Sequence, residues 1–283
     1  MKRSHMLAWP YLAGLILLVA VPATATLLLA FTEFSGVQPP RVSGFDNFVR
    51  LARDRQFAHA LFNSLVFVTL SVPLRLVLAT GIALLLNRRA RGIGAARAAA
   101  YLPSVVPDAA YALLWLWMLN PLYGPLTLSL HAVGLPAPDW LTDPWAARSG
   151  VVLMSVFQIG EAFVIALAAR RAIPHRLYEA AVVDGASPRF VLWRVTLPLM
   201  APVLALLALR DVVFSLQASF VPAFLVTGGD PNFATRFLPL YIYEQGLVYF
   251  RLGYAATMTL TMFVVTAVVV YAQARLVRRW RLL

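Results

Sequence analysis

The sequence contains no cysteine. Its absence excludes disulfide bonds, thiol catalysis, zinc held by cysteine and a lipid attached to an N-terminal cysteine. The four histidines are scattered and form no HExxH pair, so the sequence does not predict a histidine-based catalytic metal site. Metal or catalytic sites built from carboxylates remain open.

Lysine is almost as scarce, since Lys2 is the only one. A phosphate-binding P-loop needs Gly-Lys-Ser or Gly-Lys-Thr, and the chain contains neither, so it cannot be a P-loop ATPase. Charge is low as well: 13% of the residues are charged and 61% are hydrophobic. Because a soluble protein carries about 25% charged residues, this composition predicts an integral membrane protein.

Apolar runs long enough to cross a bilayer, about 20 residues each, predict transmembrane spans. These lie at about 8–32, 58–86, 98–120, 146–169, 198–226 and 252–274. An alternative for the first run is a cleaved signal peptide, because Lys2 and Arg3 precede it and the Ala-Thr-Ala at 23–25 resembles a cleavage site. Its apolar character continues to Phe31, beyond a signal core of about 7–15 residues. We therefore favour an uncleaved anchor.

The net charge of +12 suggests a nucleic-acid partner, but the distribution of the charge argues against one. The segments on one side of the predicted spans hold most of the basic residues and only two acids, Glu179 and Asp184. These segments are 1–7, 87–97, 170–197 and 275–283. The positive-inside rule therefore predicts cytoplasmic termini and a cytoplasmic segment 170–197. The basic excess reports topology, and we expect no nucleic-acid partner.

The segment 170–197 has the local pattern of two short helices separated by a sharp break. Pro174 suits the first position of a helix, and Gly185 suits the left-handed position that ends it. Ser187 offers an N-cap oxygen for a second helix, of which Pro188 suits the first position. A basic loop between membrane spans is the simplest interpretation of these features alone.

The same segment also carries a motif. It reads Glu179-Ala180-Ala181, three residues, Gly185, nine residues, and then Val195-Thr196-Leu197-Pro198. This pattern resembles the EAA loop of the permease subunits of ABC importers, with Val195 in place of the usual isoleucine. We call residues 170–197 the coupling segment. Ala180 and Ala181 would leave a smooth patch that a partner surface can approach closely.

Four further motifs resemble the carbohydrate branch of that family, which includes the maltose and glycerol-phosphate permeases. They are Asp184-Gly185-Ala186-Ser187, Pro103-Ser104-Val105-Val106-Pro107, Asn120-Pro121-Leu122-Tyr123-Gly124 and Thr227-Gly228-Gly229-Asp230-Pro231. The resemblance implies an all-α integral membrane protein. Its six transmembrane helices would form the type I ABC-importer permease bundle, as a single polytopic domain over residues 1–283 with both termini cytoplasmic.

The resemblance also implies partners and a mechanism. The partners are a second homologous permease subunit, two ATPase subunits and an extracytoplasmic solute-binding protein, in the lipid bilayer of a bacterial inner membrane. ATP and Mg would be bound by the ATPases, and this chain would hold no cofactor. The residues that dock in the ATPase and transmit its closure to the helices would be Glu179, Ala180, Ala181, Asp184 and Gly185.

Charged residues within the predicted spans are the main candidates for further roles. They are Arg75, Asp108, Glu161, Arg210 and Asp211. Because each costs about 2.5–3.5 kcal/mol at mid-bilayer, we expect them to face the bundle interior and to have partners. Arg210 and Glu161 have opposite charge and similar estimated depth, so we predict that they pair. Such pairs can line a pathway or simply hold the helices in register.

The predicted translocation pathway consists of polar residues of the spans. These are Asp108, Asn120, Gln158, Glu161, Arg210, Asp211 and Gln217. Helical spacing predicts one polar stripe on the fourth span and another on the fifth. The stripes are Ser155, Gln158 and Glu161, and Arg210, Phe214 and Gln217. For the uncharged residues, packing between helices is an equal alternative.

Two other classes of function are alternatives to a sugar importer. An ion-coupled secondary transporter would use Asp108, Glu161 and Asp211 as its coupling carboxylates. An integral-membrane enzyme has no support, since the sequence has no DDxxD, HExxH or GxSxG pattern. Within the importer interpretation, the alternative solute is glycerol phosphate or a glycerophosphodiester.

Overall fold

A computed structural model describes residues 2–88 and 90–280, most of which are helical. The helices are α1 (Lys2–Leu15), α2 (Val21–Leu29), α3 (Asp46–Arg53), α4 (Arg55–Leu85), α5 (Ile93–Tyr101), α6 (Asp108–Met118), α7 (Pro125–Ala132), α8 (Pro144–Phe157), α9 (Gly160–Ala172), α10 (His175–Val183), α11 (Pro188–Val191), α12 (Leu197–Ala218), α13 (Phe220–Pro222), α14 (Leu238–Tyr243) and α15 (Leu252–Trp280). Two short strands, β1 (Thr32–Glu33) and β2 (Arg41–Val42), pair antiparallel. Arg89 and residues 281–283, which add to the basic count on the predicted cytoplasmic side, lie outside the described residues.

Irregular turns join several of these helices. The π-helical turns are Ile16–Ala20, Leu192–Thr196, Ala223–Thr227 and Glu244–Val248, and a 3-10 turn covers Leu102–Ser104. Because a π-turn widens the helix without ending it, α1 continues into α2 and α11 continues into α12.

Several helices are long and apolar enough to cross a membrane. In the described residues, four do so without a break: Trp9–Leu29, Arg55–Leu85, Pro188–Thr227 and Leu252–Arg275. Two bent pairs, α5 with α6 and α8 with α9, raise the number to six if each pair counts as one span. These six regions correspond to the six apolar runs of the sequence.

The predicted span 98–120 is bent. The helix that ends at Ser104 and α6 meet at 97°. Pro107 has an extended backbone, with ψ 137°, and the residue before a proline disfavours helical geometry. The predicted span 98–120 therefore consists of two helices that meet at a bend.

The predicted span 146–169 is also broken, at Gln158, and its two helices meet at 47°. The N–H of Gly160 donates to Ser104 Oγ at 2.8 Å rather than continuing the helix. A Cβ atom at Gly160 would lie 2.6 Å from that oxygen, so only glycine permits this approach. The sequence expectation that Ser155, Gln158 and Glu161 share one helical face is wrong, because the break reorients the chain between them.

The chain divides into two compact units, of which the first comprises residues up to His59 together with Leu238–Val268. Within it, the start of α15 is tied to the end of α2. The Thr257 hydroxyl donates to the Ala30 carbonyl at 2.8 Å, and the Gly253 N–H donates to the Phe34 carbonyl at 3.1 Å. A Cβ atom at Gly253 would collide with the Thr32 carbonyl oxygen. A glycine is therefore required where these segments meet.

The second unit comprises Ala60–Phe237 and the chain from Val269 onward. One of its buried clusters joins α4, α9 and α12 and includes Ala83, Phe163 and Met200. Another surrounds α6 and includes Trp115 and Trp140. The small residues of the first cluster let the helices approach closely, as is usual for membrane helices. This cluster lies between the coupling segment and the charged residues described below.

Candidate functional site

The coupling segment contains the two short helices that its sequence predicts. At the end of α10, the N–H of Gly185 donates to the Val182 carbonyl at 3.0 Å, and the N–H of Ala186 donates to the Ala181 carbonyl at 2.9 Å. This pair of bonds is a Schellman motif, which requires a left-handed residue between the helix and its exit. Gly185 has φ +69°. Its predicted role as the terminating glycine is confirmed.

The next helix, α11, also begins as predicted. Ser187 Oγ accepts a hydrogen bond from the N–H of Phe190 at 3.3 Å, and Pro188 is the first helical residue. Pro174 differs from its prediction by one position, since its backbone is extended (ψ 133°) and α10 begins at His175. It acts as the N-cap residue rather than the first residue of the helix.

The turn between α10 and α11 forms an exposed apolar concavity. Its cavity of about 710 Å³ is lined by Ala180, Ala181 and Phe190, among others. Ala180 is exposed and Ala181 is buried, so Ala180 forms more of the open surface. Beside the cavity, Val182 and Val183 are 73% and 87% exposed. Exposed apolar patches of this kind mark sites of contact with another surface.

The two carboxylates of the coupling segment are both exposed. Glu179 Oε1 lies 3.0 Å from His175 Nδ1, one helical turn away. An exposed pair of this kind contributes little to stability, so the Glu179 carboxylate remains accessible at the surface. Asp184 ends α10 through its backbone, which leaves its side chain at the surface.

The ion pair predicted between Arg210 and Glu161 is confirmed. Arg210 Nη2 donates to Glu161 Oε2 at 2.5 Å, and the two side chains are 45% and 55% exposed. The Arg210 guanidinium also lies 4.9 Å from the centre of the Phe214 ring. With Gln217, which is exposed one turn further on, these residues form a surface of α9 and α12 that we call the polar face.

A second ion pair, which the sequence did not predict, lies in the interior. Arg75 Nη1 donates to Asp211 Oδ1 at 2.9 Å, and Arg75 Nη2 donates to Ser215 Oγ at 3.2 Å. The side chains of Arg75 and Asp211 are only 7% and 10% exposed. Successive residues of a helix point about 100° apart. Asp211 therefore faces α4 while Arg210 faces outward.

Three further predicted pathway residues lie at the ends of helices. Asn120 Oδ1 accepts hydrogen bonds from the N–H groups of Leu122 and Tyr123 at 2.9 and 3.2 Å, which stabilises a turn. Gln158 is half-buried at the break between α8 and α9. Asp108 is exposed in the first turn of α6, where a negative charge interacts favourably with the helix dipole.

Most of the features described above lie in a region of the chain that matches a known protein family. Residues 76–282 match the family described as binding-protein-dependent transport system inner membrane component. The chain belongs to this family. The match includes the coupling segment, the polar face and Asp211 of the buried ion pair, whereas Arg75 lies one residue before its start. The permease is thus a multi-pass membrane protein.

Individual proteins resemble the permease over most of its length. It is 30% identical to the probable ABC transporter permease protein YesP of Bacillus subtilis, over 92% of this chain and 85% of that protein. It is 28% identical to the trehalose/maltose transport system permease protein MalF of Thermococcus litoralis, over 98% and 95%.

A solved structure extends the likeness to the fold. The permease matches a chain of a bacterial alginate ABC transporter in complex with an alginate pentasaccharide-bound periplasmic protein. The TM-score is 0.85 with 26% identity, and the match covers 98% of this chain and 94% of that chain. The permease therefore has the fold of an ABC transporter permease.

The sequence did not identify the side chains that anchor the coupling segment of the permease. The Tyr178 hydroxyl lies 3.2 Å from Thr196 Oγ1, and the Arg170 guanidinium lies 4.1 Å from the centre of the Tyr178 ring. Tyr178 thus joins α10 to the end of α9 and to the last residue of the π-helical turn before α12. Two features of the sequence could have indicated these contacts. They are the tyrosine one position before the EAA motif and the threonine at a position that the motif does not specify.

Proposed function

We propose that the permease is the membrane subunit of an ABC importer that translocates a sugar delivered by an extracytoplasmic binding protein. The observation that carries this proposal is the coupling segment, whose glycine-terminated helix presents an exposed apolar concavity. The similarity to a trehalose/maltose permease and to an alginate transporter chain supports a sugar. The chain itself performs no covalent chemistry in this proposal.

The proposed topology has six spans, with both termini and the coupling segment in the cytoplasm of a bacterial inner membrane. The four continuous apolar helices and two bent pairs support six spans. The basic excess at 87–97 and 170–197 supports the orientation through the positive-inside rule.

The proposed assembly contains a second homologous permease, two ATPases and a solute-binding protein. The two ATPases bind ATP and Mg, and the concavity between α10 and α11 contacts one of them. The second permease covers part of the polar face, since an ion pair turned toward lipid would cost several kcal/mol. The periplasmic protein in the alginate transporter complex supports the binding-protein partner.

In the proposed mechanism, closure of the ATPases moves α10, and the motion reaches the bundle by direct contacts. Tyr178 passes it to Thr196, at the start of α12, and Arg170 passes it to the end of α9. The helices α9 and α12 pack together and are also joined by the Glu161–Arg210 pair. They therefore move as one body, and alternate exposure of the polar face to the two sides would carry the solute across.

The docking role is tested by reversing the charge of Glu179 in the complete transporter. We expect Glu179→Lys to reduce copurification of the ATPase and ATP-dependent uptake of labelled sugars, since a central interface residue contributes about 2 kcal/mol or more. Gly185→Val should act similarly, because a side chain in the left-handed conformation costs about 1 kcal/mol or more. The control is Glu33→Lys, which reverses the charge of another exposed acidic residue.

Both variants should insert into the membrane normally, and uptake by the wild-type transporter should survive an uncoupler. Full ATPase association and uptake in both variants would remove the coupling segment from this role. Collapse of wild-type uptake with the ion gradient would favour the secondary-transporter alternative. Competition by sn-glycerol 3-phosphate, but not by sugars, would change the assigned solute.

The topology is tested with single cysteines, which the cysteine-free chain accepts without removal of a native thiol. Cysteines at the exposed positions Val37 and Asp139 should react with an impermeant thiol reagent added to intact spheroplasts. Cysteines at Arg91 and Arg189, also exposed, should react only after permeabilisation. Labelling of Arg189→Cys from outside would reverse the orientation.

A further inference from the structure

An open cavity of about 670 Å³ lies within the first unit, and its lining includes no residue of the coupling segment or of the polar face. Three of its lining residues are arginines. Arg50 and Arg53 belong to the last turn of α3, and Arg251 immediately precedes α15. We call it the arginine cavity.

The arginines of this cavity have no acidic partner at ion-pair distance. In residues 2–88 and 90–280, none of the three takes part in an ion pair. Asp54 is the carboxylate at the cavity, but its oxygens are occupied. Oδ2 accepts from the hydroxyls of Tyr241 and Tyr254 at 2.7 and 2.6 Å, and Oδ1 accepts from the N–H groups of Gln56 and Phe57 at 2.8 and 3.2 Å.

Asp54 also remains ionised. Burial acts to raise the pKa of its carboxyl group, but the hydrogen bonds from Tyr254, Tyr241 and the backbone outweigh burial and hold the pKa below its ordinary value. One negative charge therefore offsets one of the three positive charges. The residues that line the cavity therefore carry a net positive charge.

Two of the guanidinium groups are held in place by aromatic and polar neighbours. Arg50 lies over the ring of Tyr254, 4.5 Å from its centre. Arg251 donates to Gln245 Oε1 at 3.2 Å and lies 5.7 Å from the centre of the Tyr249 ring. A guanidinium fixed in this way loses little further freedom when it binds an oxyanion, and its planar donors match a phosphate or a carboxylate.

The segments of the chain that adjoin the cavity indicate which kind of anion it binds. The candidate spans Arg55–Leu85 and Leu252–Arg275 both begin beside it, so the arginines lie at the level where a bilayer meets water. An exposed apolar run, 247–250, adjoins Arg251, and the neighbouring α3 exposes Val49. Interfacial tyrosines and amphipathic helices are typical of this depth.

We propose that the arginine cavity binds the phosphate of an anionic phospholipid from the adjoining leaflet. The arginines contact the headgroup, and the exposed run 247–250 contacts the glycerol and the first carbons of the acyl chains. A carboxylate from a protein partner would match the arginines, but it would leave that run against water. The inference rests on the membrane placement of the permease and not on the solute that it carries.

Lipid titration of the complete transporter in a neutral detergent tests the proposal. Bound phosphatidylglycerol and phosphatidylcholine are counted by native mass spectrometry in the wild type, in Arg53→Gln/Arg251→Gln and in the control Arg55→Gln. Arg55 is exposed two residues from Arg53 but does not line the cavity. Arg50 is left intact because its guanidinium packs on Tyr254.

We expect the wild type and Arg55→Gln to bind phosphatidylglycerol in preference to phosphatidylcholine. The double variant should lose about 5-fold in affinity for each arginine removed. If the double variant does not fold, Arg53→Gln alone decides, because its exposed side chain can be shortened without a change in packing. Inorganic phosphate at an equal concentration should not displace the lipid.

Each contrary result would overturn the proposal. An equal affinity for the two lipids, or unchanged phosphatidylglycerol binding in the variants, would remove the headgroup site. Displacement by inorganic phosphate would make it a site for the free anion. Loss of binding-protein association with unchanged lipid binding would assign the arginines to a protein partner. Sugar uptake, measured separately, tests the proposed function and not this site.

Discussion

Asp211→Ala is expected to prevent the permease from accumulating as a folded membrane protein. The carboxylate of Asp211 is almost fully buried against Arg75, and its removal leaves that guanidinium without its counter-charge. Breaking a buried pair in this way costs about 3–5 kcal/mol, which is comparable to much of the stability of a typical domain. Arg75→Ala should have a similar effect. Folded protein is measured by fluorescence-detected size-exclusion chromatography after mild solubilisation.

A double variant separates the loss of the pair from the stranding of one charge. Arg75→Met/Asp211→Leu places apolar side chains of similar size in the site, and such replacements of whole pairs are often neutral. It should restore most of the folded protein. Ser215→Ala removes only an acceptor of Arg75 and should cost about 1 kcal/mol. Normal folding of both single variants would contradict a structural role for the pair.

The parts of the fold that follow from the sequence are those that a few neighbouring residues determine. Long apolar runs indicate the spans because lipid leaves no other place for such segments. The turn at Gly185 and the cap at Ser187 follow from local backbone chemistry, and both have the predicted geometry. The bend near Pro107 has a local cause as well, since two prolines lie within five residues. An average of hydropathy over a window of residues does not reveal a bend that individual prolines cause.

The parts that the sequence does not reveal depend on contacts between distant segments. The break at Gln158 depends on Ser104, which is far away in the sequence and accepts the Gly160 N–H. The pairing of Arg75 with Asp211 joins residues 136 positions apart. Estimates of depth in the bilayer place several charged residues at a similar level. They do not show which face of its helix each residue occupies. That ambiguity allowed the Arg210–Glu161 pair to be predicted while the buried pair was missed.

The two ion pairs give α12 different neighbours on its two sides. Asp211 holds α12 to α4 in the interior, whereas Arg210 holds it to α9 at the surface. The buried pair is sheltered from change in the surroundings. The surface pair lies where the polar face meets either the proposed pathway or the second permease. The same helix therefore has a buried attachment to α4 and, at the polar face, an attachment to α9 whose charges a solute or the second permease can reach.

Arg210→Ala and Glu161→Ala are accordingly expected to fold and to lose most of the uptake activity. Both side chains are about half exposed, so the loss of one partner leaves the other accessible to water in the pathway. Removal of an exposed pair costs about 0–1 kcal/mol, far less than removal of the buried one. Uptake should fall by about tenfold or more if the pair contacts the solute, since a hydrogen bond to a charged group contributes about 1.5–3 kcal/mol.

The double variant Arg210→Ala/Glu161→Ala decides between the two roles of the pair. If the pair lines the pathway, the double variant still lacks the groups that contact the solute, and uptake stays low while basal ATPase activity remains near normal. If the pair only holds α9 to α12, the double variant leaves no charge without a partner, and uptake recovers. Phe214→Leu is the matched control for the packing of Arg210, because it removes the aromatic ring beneath the guanidinium and keeps the charges. Wild-type uptake in both single variants would exclude either role, and the polar face would then be an interface with the second permease alone.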